Sequence, residues 1–434
     1  MTQPVVDIPA LIRAAYEQAS HSPAPGWREQ GLMRGFPPAA GAQVTRRNFM
    51  RPPFNRWGFQ HIARLLPSID VSAVAPVRAL PRAEDATLAS LRFRSVAGAE
   101  VSLMDHLVAS DTDGFLVMHG GRILFEHYAN GQTPETRHIM FSVTKSLIGT
   151  LAEWMVHEGR LDEQRMAQDI VGELRGSAFG DATVRQLMDM AVGLHYTEDY
   201  EDPRSESSQF GMACGLTPPY ADSLAETPAE YAGLDSLYDF LPRLRKKGEH
   251  GGLFDYVTAV TEVLAWVMER ATGVAAHQLL SQVWGQLGCE RDGFFIADSR
   301  GRGVAGAGFS ATLRDMGRFG QMLLQRGRVG AEQVVPAAVI DTLLAGSDPA
   351  IFAGNPEFAP MGPLSYKSQW YVFNGRALLA IGIHGQQLYV NFDTDLVSVK
   401  QSSPPQAVGA INIDSLQLMH ALDRHVAPHV AESA

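Results

Sequence analysis

The sequence predicts an α+β fold: an antiparallel sheet whose two parts come from distant stretches of chain, flanked by helices, with a mainly helical region between them. Three observations carry this. Strand patterning appears early, in DGFLVMHGGRILFEHYANG, and returns late, in YKSQWYVFNG, RALLAIGIHG, QQLYVNFDTD and LVSVKQSS. Between them, from about Val143 to Leu287, apolar residues recur at helical spacing. The two kinds of element do not alternate as in a dinucleotide-binding βαβ fold, so strands at both ends with helices between are the pattern to satisfy.

In chain order, residues 1–85 read as an arm laid over the body. From Ser22 to about Arg82 the stretch is rich in Pro, Arg and Gly, which forbids regular ladders, and one short helical pattern falls around His61 to Leu66. Its Trp27, Phe49, Phe54, Trp57 and Phe59 are too apolar for a disordered linker. Residues 86–434 form the body. Within it, 86–141 and 290–434 supply the sheet, and His119-Gly120-Gly121-Arg122 turns the first hairpin. Residues 142–289 supply helices over SLIGTLAEWMVHEG, ATVRQLMDMAVG, LDSLYDFLPRLRKK, VTAVTEVLAWVMERATG and AAHQLLSQVWGQLG, and SLQLMHALDRHVAP closes the chain as another. A site is expected in the cleft between the sheet and helical parts.

Composition narrows the class of function. The 434 residues are 45% hydrophobic and carry a formal net charge of −11, the balance of a globular protein without the basic face that nucleic acid or anionic lipid requires. No run approaches the length of a membrane helix. The N-terminus lacks a basic and then apolar leader, and Arg46-Arg47, which resembles a twin-arginine signal, leads into Pro52-Pro53 rather than an apolar stretch. A cytoplasmic location is therefore expected. Cys214 and Cys289 fall in no metal-binding or redox spacing and are expected as half-buried thiols. The expected partner is a small molecule, with no metal and no organic cofactor, and a homodimer is left open.

Chemistry is most concentrated in FSVTKSLIG. Ser142 and Lys145 stand three apart where an irregular segment passes into a helical pattern, so both side chains lie on one helix face. There a desolvated lysine can serve as base to the serine, and the positive end of the helix dipole favours an oxyanion. Only five lysines occur in the chain, and this is its single Ser-x-x-Lys. The bland alternative is a serine that caps the helix beside a solvated lysine. Tyr256, just before the apolar helix VTAVTEVLAWVM, can relay a proton or be an ordinary core tyrosine. His384-Gly385-Gln386-Gln387 is expected to open a strand whose backbone donors can bind an oxyanion, or to be a structural histidine beside a bend. GRGVAGAGFS is glycine-rich but lacks the register and the Gly-Lys pair of a phosphate-binding loop, and Thr312 to Asp315 reads as a helix cap. No G-x-S-x-G elbow occurs.

In order and spacing, Ser142-Val143-Thr144-Lys145, Tyr256-Val257-Thr258 and His384-Gly385-Gln386 resemble the S-x-x-K, Y-x-N and K-T-G elements of the serine penicillin-recognising enzymes. The likeness is nearest to the class C β-lactamase-like esterases and, among them, the 6-aminohexanoate-dimer (nylon-oligomer) hydrolases. It extends through GFPPAAGAQVT, PPFNRWGFQH, HGGRILFEHYANG, EDYEDPRSE and GIHGQQLYV. The resemblance implies a β-lactamase/transpeptidase-like fold and a serine hydrolase that cleaves small esters or linear amides through an acyl-enzyme. It further implies Ser142 as nucleophile, Lys145 as its base and Tyr256 as proton relay. The backbone amides of Ser142 and Gln387 would form the oxyanion hole, and Tyr200, His384, Gly385 and Gln386 would contact substrate. Thr258 in place of asparagine and His384 in place of lysine change the groups that would hold a β-lactam, since a fixed cation at a carboxylate is worth roughly 1.5–3 kcal/mol. The rival expectations are a β-lactamase or D-amino-acid peptidase, an acyltransferase, and a non-catalytic binding scaffold.

Overall fold

The structure is a computed structural model that describes residues 7–200, 202, 204–216, 234–358, 361–373 and 375–433. Its main sheet has seven antiparallel strands: β1 Thr112–His119, β2 Arg122–Tyr128, β3 Ser365–Lys367, β4 Trp370–Phe373, β5 Ala377–Gly382, β6 Gln386–Asn391 and β7 Leu396–Ser402. The spatial order is β3-β4-β5-β6-β7-β1-β2, so the early hairpin joins the late meander along the β7–β1 seam, where Val397 faces Met118 and Val399 faces Leu116. The first hairpin turns at Gly120 and Gly121 (φ +55° and +73°), the left-handed pair that a tight hairpin turn needs.

The longer helices are α1 Ile8–His21, α2 Val143–His157, α3 Thr258–Thr272, α4 Ala276–Trp284, α5 Leu313–Leu324 and α6 Asp414–Ser433. Alternation along β6 shows how the sheet is covered on both faces. Leu388 and Val390 lie against Gly320 of α5, while the intervening Tyr389 donates its hydroxyl to Asp423 of α6. α2 packs on β4, β5 and β6 and against α3 and α4. Gly149 permits that approach, because a Cβ there would sit 1.9 Å from the Ser368 carbonyl oxygen.

Residues 7–85 are less extended than their prolines suggest. They contain α1, and Ser68–Val71 pairs with Gly293–Ile296 in a second, four-stranded sheet completed by Phe309–Ala311 and His138–Ile139. Phe49, Trp57 and Phe59 are buried in the common core. The helix expected over LDSLYDFLPRLRKK is broken: Leu237–Phe240 is helical, Leu241–Arg243 tightens around Pro242, and Arg245–Lys246 pairs as a short strand with Leu194–His195. Cys214 and Cys289 are fully rather than half buried. Among the described residues, no helix is long and apolar enough to cross a membrane, and no cluster of His, Cys, Asp and Glu could hold a metal.

Candidate active site

The chain enters α2 through Phe141, whose φ of +43° is unusual for a bulky residue. Phe59 of the arm holds that ring from behind at 5.0 Å, edge to face. Ser142 stands at the cap position, yet its side chain makes no capping hydrogen bond. Instead its Oγ accepts a hydrogen bond from Lys145 Nζ at 2.7 Å. The lysine is 1% exposed rather than solvated, and its Nζ also donates to the Gly306 carbonyl at 2.6 Å. Burial lowers the Lys145 pKa from 10.5 to about 8, partly opposed by the negative charges of Glu198 and Glu262.

Tyr256 completes the cluster. Its half-buried ring lies 5.1 Å from Lys145 Nζ, and the phenol is near enough to the Ser142 side chain for the two to interact. Burial raises the phenol pKa well above 10, and the neighbouring Tyr371 and Glu198 add to the rise, so the hydroxyl keeps its proton at neutral pH. Tyr200 reaches the same region from the acidic loop, where residues 201 and 203 lie outside the described residues. It donates to Glu198, whose other carboxylate oxygen accepts the Thr258 amide at 2.7 Å and so ties the loop to the start of α3.

The C-terminal part of the expected site is arranged differently. His384 (φ 57°, ψ 29°) and Gly385 (φ +78°) turn the chain tightly between β5 and β6, and the strand itself opens at Gln386. His384 is 3% exposed, bonded through Nδ1 to the Pro404 carbonyl and packed on Phe59 and Phe141. Burial lowers its pKa to about 4, so at neutral pH it supplies no cation. The Gln386 side chain is consumed by the His384 and Ser402 backbone. Gln387 pairs in register with Ile381 on one side and Lys400 on the other, inside the sheet. An amide in such an interior ladder is not available to an oxyanion. The backbone that meets the Ser142 amide is the end of β5: a Cβ on Gly382 would lie 3.2 Å from Ser142 N and 2.5 Å from the Met140 oxygen. The structure thus places His384 and Gly385 in the turn, and Gln386 and Gln387 at the start of the strand that follows it.

Three participants escaped the reading of motifs. Glu198 sits in an acidic run, which ordinarily marks a solvated loop. Gly306 lies in the glycine-rich stretch that had no phosphate-binding register. Glu262 carried a usable signal, being an acid inside the apolar run TAVTEVLAWVM, since acids are almost never fully buried without a partner.

With this geometry in place, comparison with known proteins gives a consistent result. The beta-lactamase family profile matches residues 101–408. The 6-aminohexanoate-dimer hydrolase of Paenarthrobacter ureafaciens is 34% identical over 375 residues, covering 85% of this chain and 91% of that protein. A Bacillus anthracis structure provisionally named a 6-aminohexanoate-dimer hydrolase superposes with a TM-score of 0.79 at 28% identity, covering 89% of this chain and 98% of that one. EstCE1, described as a hydrolase with promiscuous acyltransferase activity, shares the fold alone, with a TM-score of 0.54 at 15% identity over 74% of this chain and 95% of its own.

Proposed function

The chain belongs to the beta-lactamase family, and from that premise we propose that it is a serine hydrolase that cleaves small esters and linear amides through an acyl-enzyme. The observation that carries the reading is the 2.7 Å contact between the buried Lys145 amine and Ser142 Oγ. The neutral amine accepts the Ser142 proton as Oγ attacks the substrate carbonyl, which forms the new C–O bond and a tetrahedral oxyanion. The Ser142 amide at the head of α2 and the backbone at Gly382–Ile383, in place of Gln387, bind that oxyanion. The intermediate then collapses with cleavage of the substrate's C–O or C–N bond, as Tyr256 passes the proton taken up by Lys145 to the departing alcohol or amine and the Lys145 amine becomes neutral again. Water then attacks the acyl-enzyme and the same groups act in reverse.

The relative from Paenarthrobacter ureafaciens makes 6-aminohexanoate oligomers the amide substrates to test first. Tyr200, oriented by Glu198, is the side chain we assign to contact with substrate. The neutral, buried His384 offers no counter-ion for a β-lactam carboxylate, which weighs against antibiotic hydrolysis. The test is intact-mass measurement after a p-nitrophenyl ester or a fluorophosphonate. One acyl or phosphonyl adduct is expected on the wild type and none on Ser142→Ala; an adduct that persists in the variant refutes the nucleophile. Release of 6-aminohexanoate from its linear dimer decides the amide half of the proposal, and ester cleavage without such release would leave an esterase.

A further inference from the structure

The Lys145 amine is aimed by two acceptors, Ser142 Oγ and the Gly306 carbonyl, and the second belongs to a loop that needs its own support. That support comes from Glu262, about one turn into α3 and fully buried. One carboxylate oxygen accepts the Gly306 amide at 2.7 Å and the other accepts the Ala305 amide at 3.2 Å. The peptide whose carbonyl receives Lys145 is thus anchored at the adjoining N–H groups. Gly306 makes the approach possible: a Cβ there would lie 3.1 Å from both Glu262 Oε1 and the Thr258 carbonyl oxygen.

The carboxylate is costly to ionise in these surroundings. Burial pushes its pKa up to about 7, while Arg302, the two amides and Lys145 favour the anion. Arg302 lies in the same loop, donates to the Glu262 backbone carbonyl and reaches to within 3.8 Å of its carboxylate. Its guanidinium is held over the Tyr238 ring at 4.8 Å and the Trp266 ring at 5.8 Å. Tyr196 and Cys214 are the other titratable side chains that feel the charge of Glu262. A purely structural clamp would need hydrogen-bond acceptors only, whereas an anion placed behind the Lys145 acceptor also acts on the lysine itself.

We propose that Glu262 is a positioning residue for the base: it fixes the Ala305–Gly306 segment, whose Gly306 carbonyl aims the Lys145 amine at Ser142, and its charge sets how readily that amine releases its proton. The inference rests on the reading of Lys145 as base. It is tested with full-length Glu262→Gln and Glu262→Asp by following kcat and KM for p-nitrophenyl butyrate across pH, with thermal unfolding as the check on folding. In Glu262→Gln, kcat falls about tenfold or more with KM nearly unchanged, and the acid limb of kcat/KM moves to lower pH by roughly half a unit or more, because Lys145 has lost an anionic neighbour. A folded Glu262→Gln enzyme whose limb coincides with that of the wild type, whatever its kcat, overturns the inference. If that variant does not fold, Glu262→Asp decides: the charge remains, so the limb stays in place while the shortened clamp lowers kcat, and an unchanged kcat overturns the inference. Lys145→Ala separates the two levels. Acylation that persists without Lys145 refutes the reading beneath, whereas loss of acylation together with an unmoved Glu262→Gln limb refutes this inference alone.

Discussion

If Lys145 is the base, the rate of acylation must follow the neutral fraction of a single buried amine. Burial brings its pKa from 10.5 to about 8, which amounts to roughly 3 kcal/mol of bias against the ammonium. At pH 7 an amine of that kind is neutral in about one molecule in eleven, against about one in three thousand for an ordinary lysine, a gain of about 300-fold in competent base. Because the deprotonated form is the active one, kcat/KM for a p-nitrophenyl ester rises about tenfold per pH unit below the Lys145 pKa and levels above it. The rise is centred near pH 8. No alkaline fall from Tyr256 is expected below the usual phenol range, since its pKa is raised. Lys145→Arg keeps a cation but cannot deprotonate, so it loses about 100-fold or more across the range. Stopped-flow release of p-nitrophenolate gives both quantities. A limb centred near or below about pH 6, the range of an ordinary histidine, or a Lys145→Arg enzyme retaining more than about a tenth of the activity, refutes the assignment.

Three further outcomes follow from the same geometry. Tyr256→Phe lowers kcat about 100-fold or more for an alkyl amide, whose amine must leave protonated, and much less for a p-nitrophenyl ester; equal losses on the two substrates would remove Tyr256 from the relay. Gly149→Ala forces a Cβ to within 1.9 Å of the Ser368 oxygen, so urea unfolding should show a loss of about 1–3 kcal/mol, and an unchanged midpoint would contradict the tight α2–β4 approach. Phe59→Ala empties the space behind Phe141 and His384 and should cost about 3–5 kcal/mol by the same measurement, with kcat lowered as the nucleophile's support loosens; normal stability would show that the arm does not brace the site.

Much of this molecule is legible in local pattern. Period-two alternation with a paired-glycine turn marks the β1–β2 hairpin, and the 3.6 period of SLIGTLAEWM and TAVTEVLAWVM marks α2 and α3. Three-residue spacing alone makes the Ser142–Lys145 contact available, because a helix brings such positions onto one face whatever surrounds it. The backbone that lies opposite Ser142 is less legible, for an equally physical reason. His384 and Gly385 adopt positive φ and turn the chain, which shifts the backbone facing Ser142 back to Gly382. That shift depends on turn geometry, and a short motif does not encode which side of a glycine will bend.

By itself the sequence determined the element types and the serine–lysine pair, since each rests on residues close together in the chain, and strand patterns at both chain ends were enough to expect one shared antiparallel sheet. Only the tertiary structure decided that Lys145 is buried against the Gly306 carbonyl, that Glu262 and Glu198 lie within its field, and that the end of β5 lies against the Ser142 amide. Those facts depend on burial and on contacts between segments more than 40 residues apart. Desolvation and charge act through space, so the proton affinity of Lys145 is a property of the assembled cleft.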